Sequence, residues 1–256
     1  MVEHLPGGPV ISTSFPLYWF SSEEAKGHGL KSCFCGEGAD ELFGGYRTGT
    51  PSEGYVIGNE VENYIRVNGT FTRDEACSLV GEKLETDNLQ KKFEVEFKGD
   101  GRREDVLFNR IRYLLMSGLI IDKHMLEKGD GMSMAKPTEL RMPYLDKHVL
   151  ELAYKLPLAY CIGNNEKKKI VKALAKKLGL PSEIYNRPKQ RTSLPYEYLY
   201  YHSSFGEKIR RRLLGNSSVK SIFPIKFIEG VVQNSKNNPK RIHALYILDV
   251  WLARCL

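Results

Sequence analysis

The chain has 256 residues with a formal net charge of +7 at pH 7, and hydrophobic residues make up 41% of it; that length suits one large domain or two small ones, and that apolar share supplies a core. No apolar run approaches the roughly 18 residues of a membrane span, and MVEHLPGGPV at the start has neither the basic nor the apolar region of a secretory signal. The five cysteines, Cys33, Cys35, Cys77, Cys161 and Cys255, are scattered without a second ligand pair at zinc-finger spacing, so a reduced, cytoplasmic protein is expected.

The predicted elements run as follows. Phe15–Lys26 reads as a helix with Leu17, Phe20 and Ala25 apolar, Ser14 at its cap and Pro16 in its first turn. Leu30–Cys35 reads as a buried strand leading into a glycine loop. A helix is expected from Asn59, and another over Arg73–Leu84 with Thr72 as cap and Glu75 at the third helical position, the capping-box spacing. Residues 85–105 are polar and charged, a candidate mobile loop. Val106–Leu126 is the most apolar long segment, one or two core helices interrupted near Ser117-Gly118, with His124 on a helix face. Asp146 starts a helix that ends before Pro157. Asn165–Leu178 is amphipathic and stops at Gly179 and Pro181. Phe227–Asn234 and Arg241–Leu256 close the chain as helices. The basic clusters Lys167-Lys168-Lys169, Lys176-Lys177 and Arg210-Arg211-Arg212 sit inside helical patterns with no interleaved aromatics. They read as solvated surface rather than a nucleic-acid stripe. One strand cannot make a sheet, so its partners are expected outside this chain.

The stretch KSCFCGEGADELFGGY, residues 31–46, carries the chemistry. Glycines permit positive φ, so successive N–H groups can converge on an anion, and the following helix adds its positive end. Carboxylates in the same loop either hold Mg²⁺ against phosphate oxygens or accept a proton from a nucleophile. A tight turn with capping acids explains Gly36 and Gly38 equally well when they are taken alone.

The string GEGADELFGGY resembles the synthetase domain of B-type asparagine synthetases, which carry S-G-E/D-G-x-D-E-L/V-F-G-G-Y at this place. Three further blocks match in order: GDGMSMAKPTELRMPYLD (129–146), KKKIVKALAKKLGLPSEI (167–184) and NRPKQRTSLP (186–195). The resemblance implies an α/β, mostly helical fold with few strands: the C-terminal portion of a PP-loop, adenine-nucleotide α-hydrolase-like ATP pyrophosphatase domain. One domain over 1–256 is expected, with the strand and glutamate loop in 1–50, a helical body in 51–195 and closing helices in 196–256.

The implied activity is an ATP-dependent amide ligase. Aspartate attacks the α-phosphate of ATP to give β-aspartyl-AMP and pyrophosphate, and ammonia, free or from a glutaminase partner, displaces AMP. On matching positions Glu37 takes the ammonium proton, Lys189 faces the phosphate, and Gly36, Gly38, Lys128 and Asp130 bind ATP or pyrophosphate. Asp40 is the Mg²⁺ ligand. Each has a plainer alternative: helix caps for Glu37 and Asp40, solvated surface for Lys189. Glu139 and Arg141 read as an internal ion pair, and Met142, Tyr144 and Leu145 as core.

The chain departs from the family in carrying no S-G-G-x-D-S ATP loop. Val2 also stands where a glutaminase needs cysteine, with Cys35 in place of serine, Gly131 in place of arginine and Arg191-Thr192 in place of Gly-Phe. The expectation is an incomplete synthetase, inactive alone, that is completed by an upstream polypeptide or by self-association. The alternative is a non-catalytic, degenerate partner subunit. A β-lactam-forming relative is disfavoured, because those enzymes put tyrosine where Glu37 stands.

Overall fold

The computed structural model describes residues 8, 9, 11, 14–46, 69–80, 102–117, 126–163, 166–188 and 195–255. Helix α1 (Phe15–Gly27) buries Phe15 and Ala25, and Pro16 stands in its first turn, where a missing N–H costs nothing. The expected Ser14 cap works through its backbone instead: its carbonyl accepts from Leu17 N–H at 3.0 Å, and its side chain makes no cap bond. The chain reverses at Gly29, whose φ of +72° suits glycine, and enters strand β1 (Ser32–Phe34).

The expectation of a lone strand is overturned. Strand β2 (Glu139–Arg141), inside the 129–146 block, pairs with β1 in parallel, with Cys33 opposite Leu140. Cys35 N–H to Arg141 O at 2.9 Å and Glu139 N–H to Lys31 O at 2.8 Å extend the ladder. A three-residue Glu-Leu-Arg run is too short for its polar–apolar–polar alternation to mark it as a strand; its partner lies about a hundred residues away. The expectation of a buried strand also fails, since Phe34 is 76% exposed.

Helix α2 (Ala39–Phe43) follows the glycine loop. Thr72 and Glu75 close the capping box of α3 (Arg73–Val80) reciprocally: Thr72 N–H donates to Glu75 Oε2 at 2.8 Å, and Glu75 N–H to Thr72 Oγ1 at 3.2 Å. The helix expected from Asn59 and most of the polar stretch over 85–105 lie outside the described residues; the end of that stretch is helical, because α4 (Arg103–Leu115) starts there. Helix α5 (Leu126–Met134) leads to β2 and packs on α1 through Phe15, Tyr18, Trp19 and Met132. The buried Thr138 hydroxyl donates to Ser22 O at 3.2 Å and ties the two together.

Beyond β2, Asp146 caps α6 (Lys147–Lys155) as expected, its carboxylate accepting from His148 N–H at 2.8 Å. The short α7 (Leu158–Cys161) runs into an antiparallel pair, β3 (Ile162–Gly163) and β4 (Glu166–Lys167). The helix expected from Asn165 therefore begins later, as α8 (Lys169–Lys177). Helices α9 (Ser182–Tyr185), α10 (Tyr196–Tyr201), α11 (Ser204–Leu214), α12 (Ile225–Gln233) and α13 (Pro239–Cys255) complete the chain.

Two larger cores accompany the small clusters of Phe15 with Met132 and of Leu107, Ile111 and Leu115 among the described residues. One, around Leu42, Phe43, Phe108, Met116, Ala153 and Cys161, lies under the glutamate loop, with Tyr144 and Leu145 packed against it half-buried. The other joins Tyr200, Ile209, Leu213, Val219, Ile228, Ile242 and Leu245 of the C-terminal helices. There the fully buried Asp249 carboxylate is satisfied by Arg212, by Ser217 Oγ at 2.8 Å and by Ser218 N–H. A carboxylate taken out of water needs that many donors.

Candidate active site around the glutamate loop

The loop after β1 is shaped by three glycines with separate reasons. Gly38 caps α2 at φ +91°, and a Cβ there would lie 2.6 Å from Leu145 Cδ2. Gly44 ends α2 at φ +71°, and its Cβ would meet Ile162 Cδ1 at 2.4 Å. At Gly45 a Cβ would fall 1.6 Å from Asp40 Oδ1. The backbone at Gly45 is thus a cradle into which the Asp40 carboxylate folds. Gly36 is not crowded; a Cβ there meets nothing within 4 Å.

The acids of the loop lie in a network. Asp40, in the first turn of α2, forms an ion pair with Lys168 Nζ at 2.9 Å, both side chains about two-thirds buried. Glu41 is only 1% exposed and accepts a 2.5 Å hydrogen bond from the Tyr46 hydroxyl. Burial first, then the negative charges of Glu41, Asp40 and Glu37, hold the Tyr46 phenol far above its ordinary range. Lys167 Nζ donates to Tyr46 O at 3.0 Å. Burial likewise pushes the Cys35 thiol up, against a smaller lowering by the backbone N–H of Glu37. Beneath the loop the guanidinium of Arg112, 1% exposed, donates to the carbonyls of Leu42, Ala153 and Leu156 and to Asn109 Oδ1, and lies 4.3 Å from the Phe108 ring centre. It fastens the C-terminal turn of α2 to that of α6.

The structure brings Glu37, Asp40, Gly36 and Gly38 together in this loop. Asp130 is exposed on α5, with its carbonyl accepting from Ser133 Oγ at 3.1 Å. The Lys128 side chain and all of Lys189 lie outside the described residues. Glu139 and Arg141 form the expected pair at 3.2 Å, but on an exposed face, where such a pair contributes little. The expectation that Lys167-Lys168-Lys169 is a solvated cluster is corrected: two of these lysines face the loop, and Lys169 Nζ donates to Ala159 O at 2.8 Å. A signal was present. Lysines massed at a helix N-terminus oppose the helix dipole, and a broken local rule marks residues held by something distant.

Mg²⁺ fits the donor set. It takes one or two carboxylates and completes its shell with water and substrate phosphates, and Asp40 offers a carboxylate oxygen already held against the loop. Among the described residues no group of three His, Cys, Asp or Glu side chains forms a fuller cage.

A glycine loop bearing carboxylates at the carboxyl end of a parallel strand is where α/β proteins place their ligands, and here it is embedded in a mostly helical chain. The chain belongs to the asparagine synthase family, whose model (Asparagine synthase) matches residues 1–253. That match includes the C-terminal helices, which by sequence resemble only generic helix. Family membership implies the PP-loop synthetase fold, with which the few strands agree. The chain is 22% identical over 278 residues to glutamine-hydrolysing asparagine synthetase 1 of Bacillus subtilis (strain 168), covering 93% of this chain and 42% of that relative. It is 25% identical over 205 residues to asparagine synthetase 3 of the same organism, covering 74% of this chain and 30% of the relative. A putative asparagine synthetase 1 of Methanocaldococcus jannaschii is 29% identical over 150 residues, covering 59% of this chain and 18% of the relative. The chain thus spans about two-fifths or less of the length of these relatives. No described helix is long and apolar enough to cross a membrane.

Proposed function

We propose that this chain forms the acid-and-lysine side of an ATP-dependent amide ligase site. In it aspartate, or a similar carboxylate, attacks the α-phosphate of ATP, pyrophosphate leaves, and ammonia then displaces AMP from the acyl-adenylate. The observation that carries this reading is the Asp40–Lys168 pair in the Gly45 cradle: a carboxylate of the kind that holds a metal and a cation of the kind that holds phosphate stand side by side. Asp40 would hold Mg²⁺, which neutralises phosphate charge when bound. Lys168 and Lys189 would supply positive charge to the phosphates, since a flexible ammonium follows shifting charge. Gly36 and Gly38 let the backbone approach the pyrophosphate, with Lys128 and Asp130 as further binding residues. Glu37 would take the proton from attacking ammonia.

The ATP loop, S-G-G-x-D-S in the family, would come from further polypeptide, and the ammonia from a glutaminase partner or from solution. The test is aspartate-dependent ATP–pyrophosphate exchange with Mg²⁺. The 256-residue chain alone should exchange little, and addition of a synthetase segment bearing the loop should restore exchange. Robust exchange by the chain alone would refute the need for a second polypeptide. No exchange in either condition, with a full-length synthetase active beside it, would refute the ligase reading. In the complemented protein Glu37→Gln should keep exchange and lose amide formation by about 10²–10⁴-fold, the usual contribution of one general base.

A further inference from the structure

Apart from the glutamate loop, a cavity of about 700 Å³ opens between α3, α12 and α13, within the roughly 300–1,000 Å³ of small-molecule sites. Arg241 closes one side of it. Its guanidinium donates to Glu75 Oε2 at 2.6 Å and to Thr70 O at 3.3 Å, and lies 5.0 Å from the Phe71 ring centre. Phe71 in turn contacts Phe227 at 5.7 Å. The helices are therefore clamped together at this end, and among the described residues a space remains beside the clamp.

Gly230 contributes to that space. It lies inside α12 and lines the cavity, and a Cβ built on it meets nothing within 4 Å. Glycine in a helix interior is less stable than alanine. No crowding demands a glycine here; its visible effect is to leave the floor of the cavity bare.

The lining has a definite chemistry. Phe227, Val231 and Leu79 form an apolar wall. Arg241 and Glu75 neutralise each other, which leaves Lys226 as the uncompensated charge of the lining. Lys226 Nζ and the side-chain amides of Asn237 and Asn238 have no hydrogen-bond partner among the described residues.

We propose that this cavity binds a small organic monocarboxylate with an apolar body, the carboxylate on Lys226 and the asparagine amides and the body against Phe227 and Val231 over Gly230. The proposal is independent of the ligase reading. It is tested on the 256-residue chain by titration calorimetry and saturation-transfer NMR with N-acetyl-L-leucine and 4-methyl-2-oxopentanoate as probes, and L-leucinamide as the cationic control. Both carboxylates should bind with a Kd of about 1 mM or tighter, and leucinamide should not. Lys226→Ala, at an exposed side chain, should weaken binding by about tenfold or more, as loss of a charge-assisted contact does. Gly230→Leu should abolish it while the chain melts no lower than the parent. Failure of both carboxylates to bind, or binding unchanged in Lys226→Ala and Gly230→Leu, would overturn the proposal.

Discussion

At the scale of single residues, the glutamate loop depends on where a side chain cannot be. Gly45→Ala would put a Cβ 1.6 Å from Asp40 Oδ1 and 2.9 Å from Asp40 Cα, and the second of these is backbone that cannot swing aside. The substitution should cost about 1–3 kcal/mol, the range for overpacking a tight site. Gly36→Ala meets open space and should be near neutral. Urea unfolding of the two variants side by side decides the matter, since equal stabilities would mean that the cradle is not tight. The Asp40–Lys168 pair gives the loop its counter-charge. No local property of Asp40 announces Lys168, whose own neighbours in sequence suggest a solvated helix face.

At the scale of elements, α3 is held by the Thr72–Glu75 box and by Arg241. The backbone N–H of Thr72 first, and Arg241 after it, hold the Glu75 carboxyl below its usual range. A depressed carboxyl stabilises the fold at pH values above its ordinary value of about 4.3, and that contribution is lost as the pH falls through the depressed value. Glu75→Gln should therefore be less stable than the parent at pH 7, with the gap closing in acid once the pH is below that depressed value. Urea midpoints at pH 7 and in acid test it, and a gap that persists in acid would contradict it. Thr72→Ala should cost about 1 kcal/mol at either pH, the usual value of a cap. The β3–β4 pair shows the opposite case. Its segment has a helical pattern, yet Glu166 and Lys167 pair with β3 and Lys168, held by Asp40, turns through a left-handed φ of +53° before the helix starts at Lys169. Tertiary contacts outweigh a propensity difference of tenths of a kcal/mol per residue.

At the scale of the whole molecule, Arg112 joins the loop to the helical body. Desolvation lowers its pKa, and three helix-end carbonyls and a ring face take the place of water. Arg112→Met would strand those carbonyls and should cost about 3–5 kcal/mol, as breaking a buried charged network does. Against a total stability of about 5–15 kcal/mol, that approaches unfolding. A thermal melt that moves by only a degree or two would rule it out. The sheet has its own consequence. Among the described residues β1 has one neighbour, β2, and Phe34 stands 76% exposed beside it. Exposed strand edges recruit other strands, so the chain should associate as its concentration rises, and Phe34→Glu should weaken that association in sedimentation. A monomer at every concentration would count against it.

Features whose causes lie within a few residues are legible along the chain: the glycine loop with Glu37, Asp40 and Glu41, the α1 span, the Thr72–Glu75 box and the Asp146 cap. Each rests on the identity and spacing of near neighbours, and the family likeness is carried by such strings. The tertiary structure alone decided that Glu-Leu-Arg at 139–141 is a strand, that Lys168 rather than water faces Asp40, that Arg112 is buried under α2, and that Gly230 borders a cavity. These are contacts between residues far apart along the chain. A three-residue strand or an arginine in an apolar helix has the same local signature whether its partner is a distant carbonyl or solvent, and lysines massed at a helix start point to some distant partner without saying which, so only the folded chain identifies the partners.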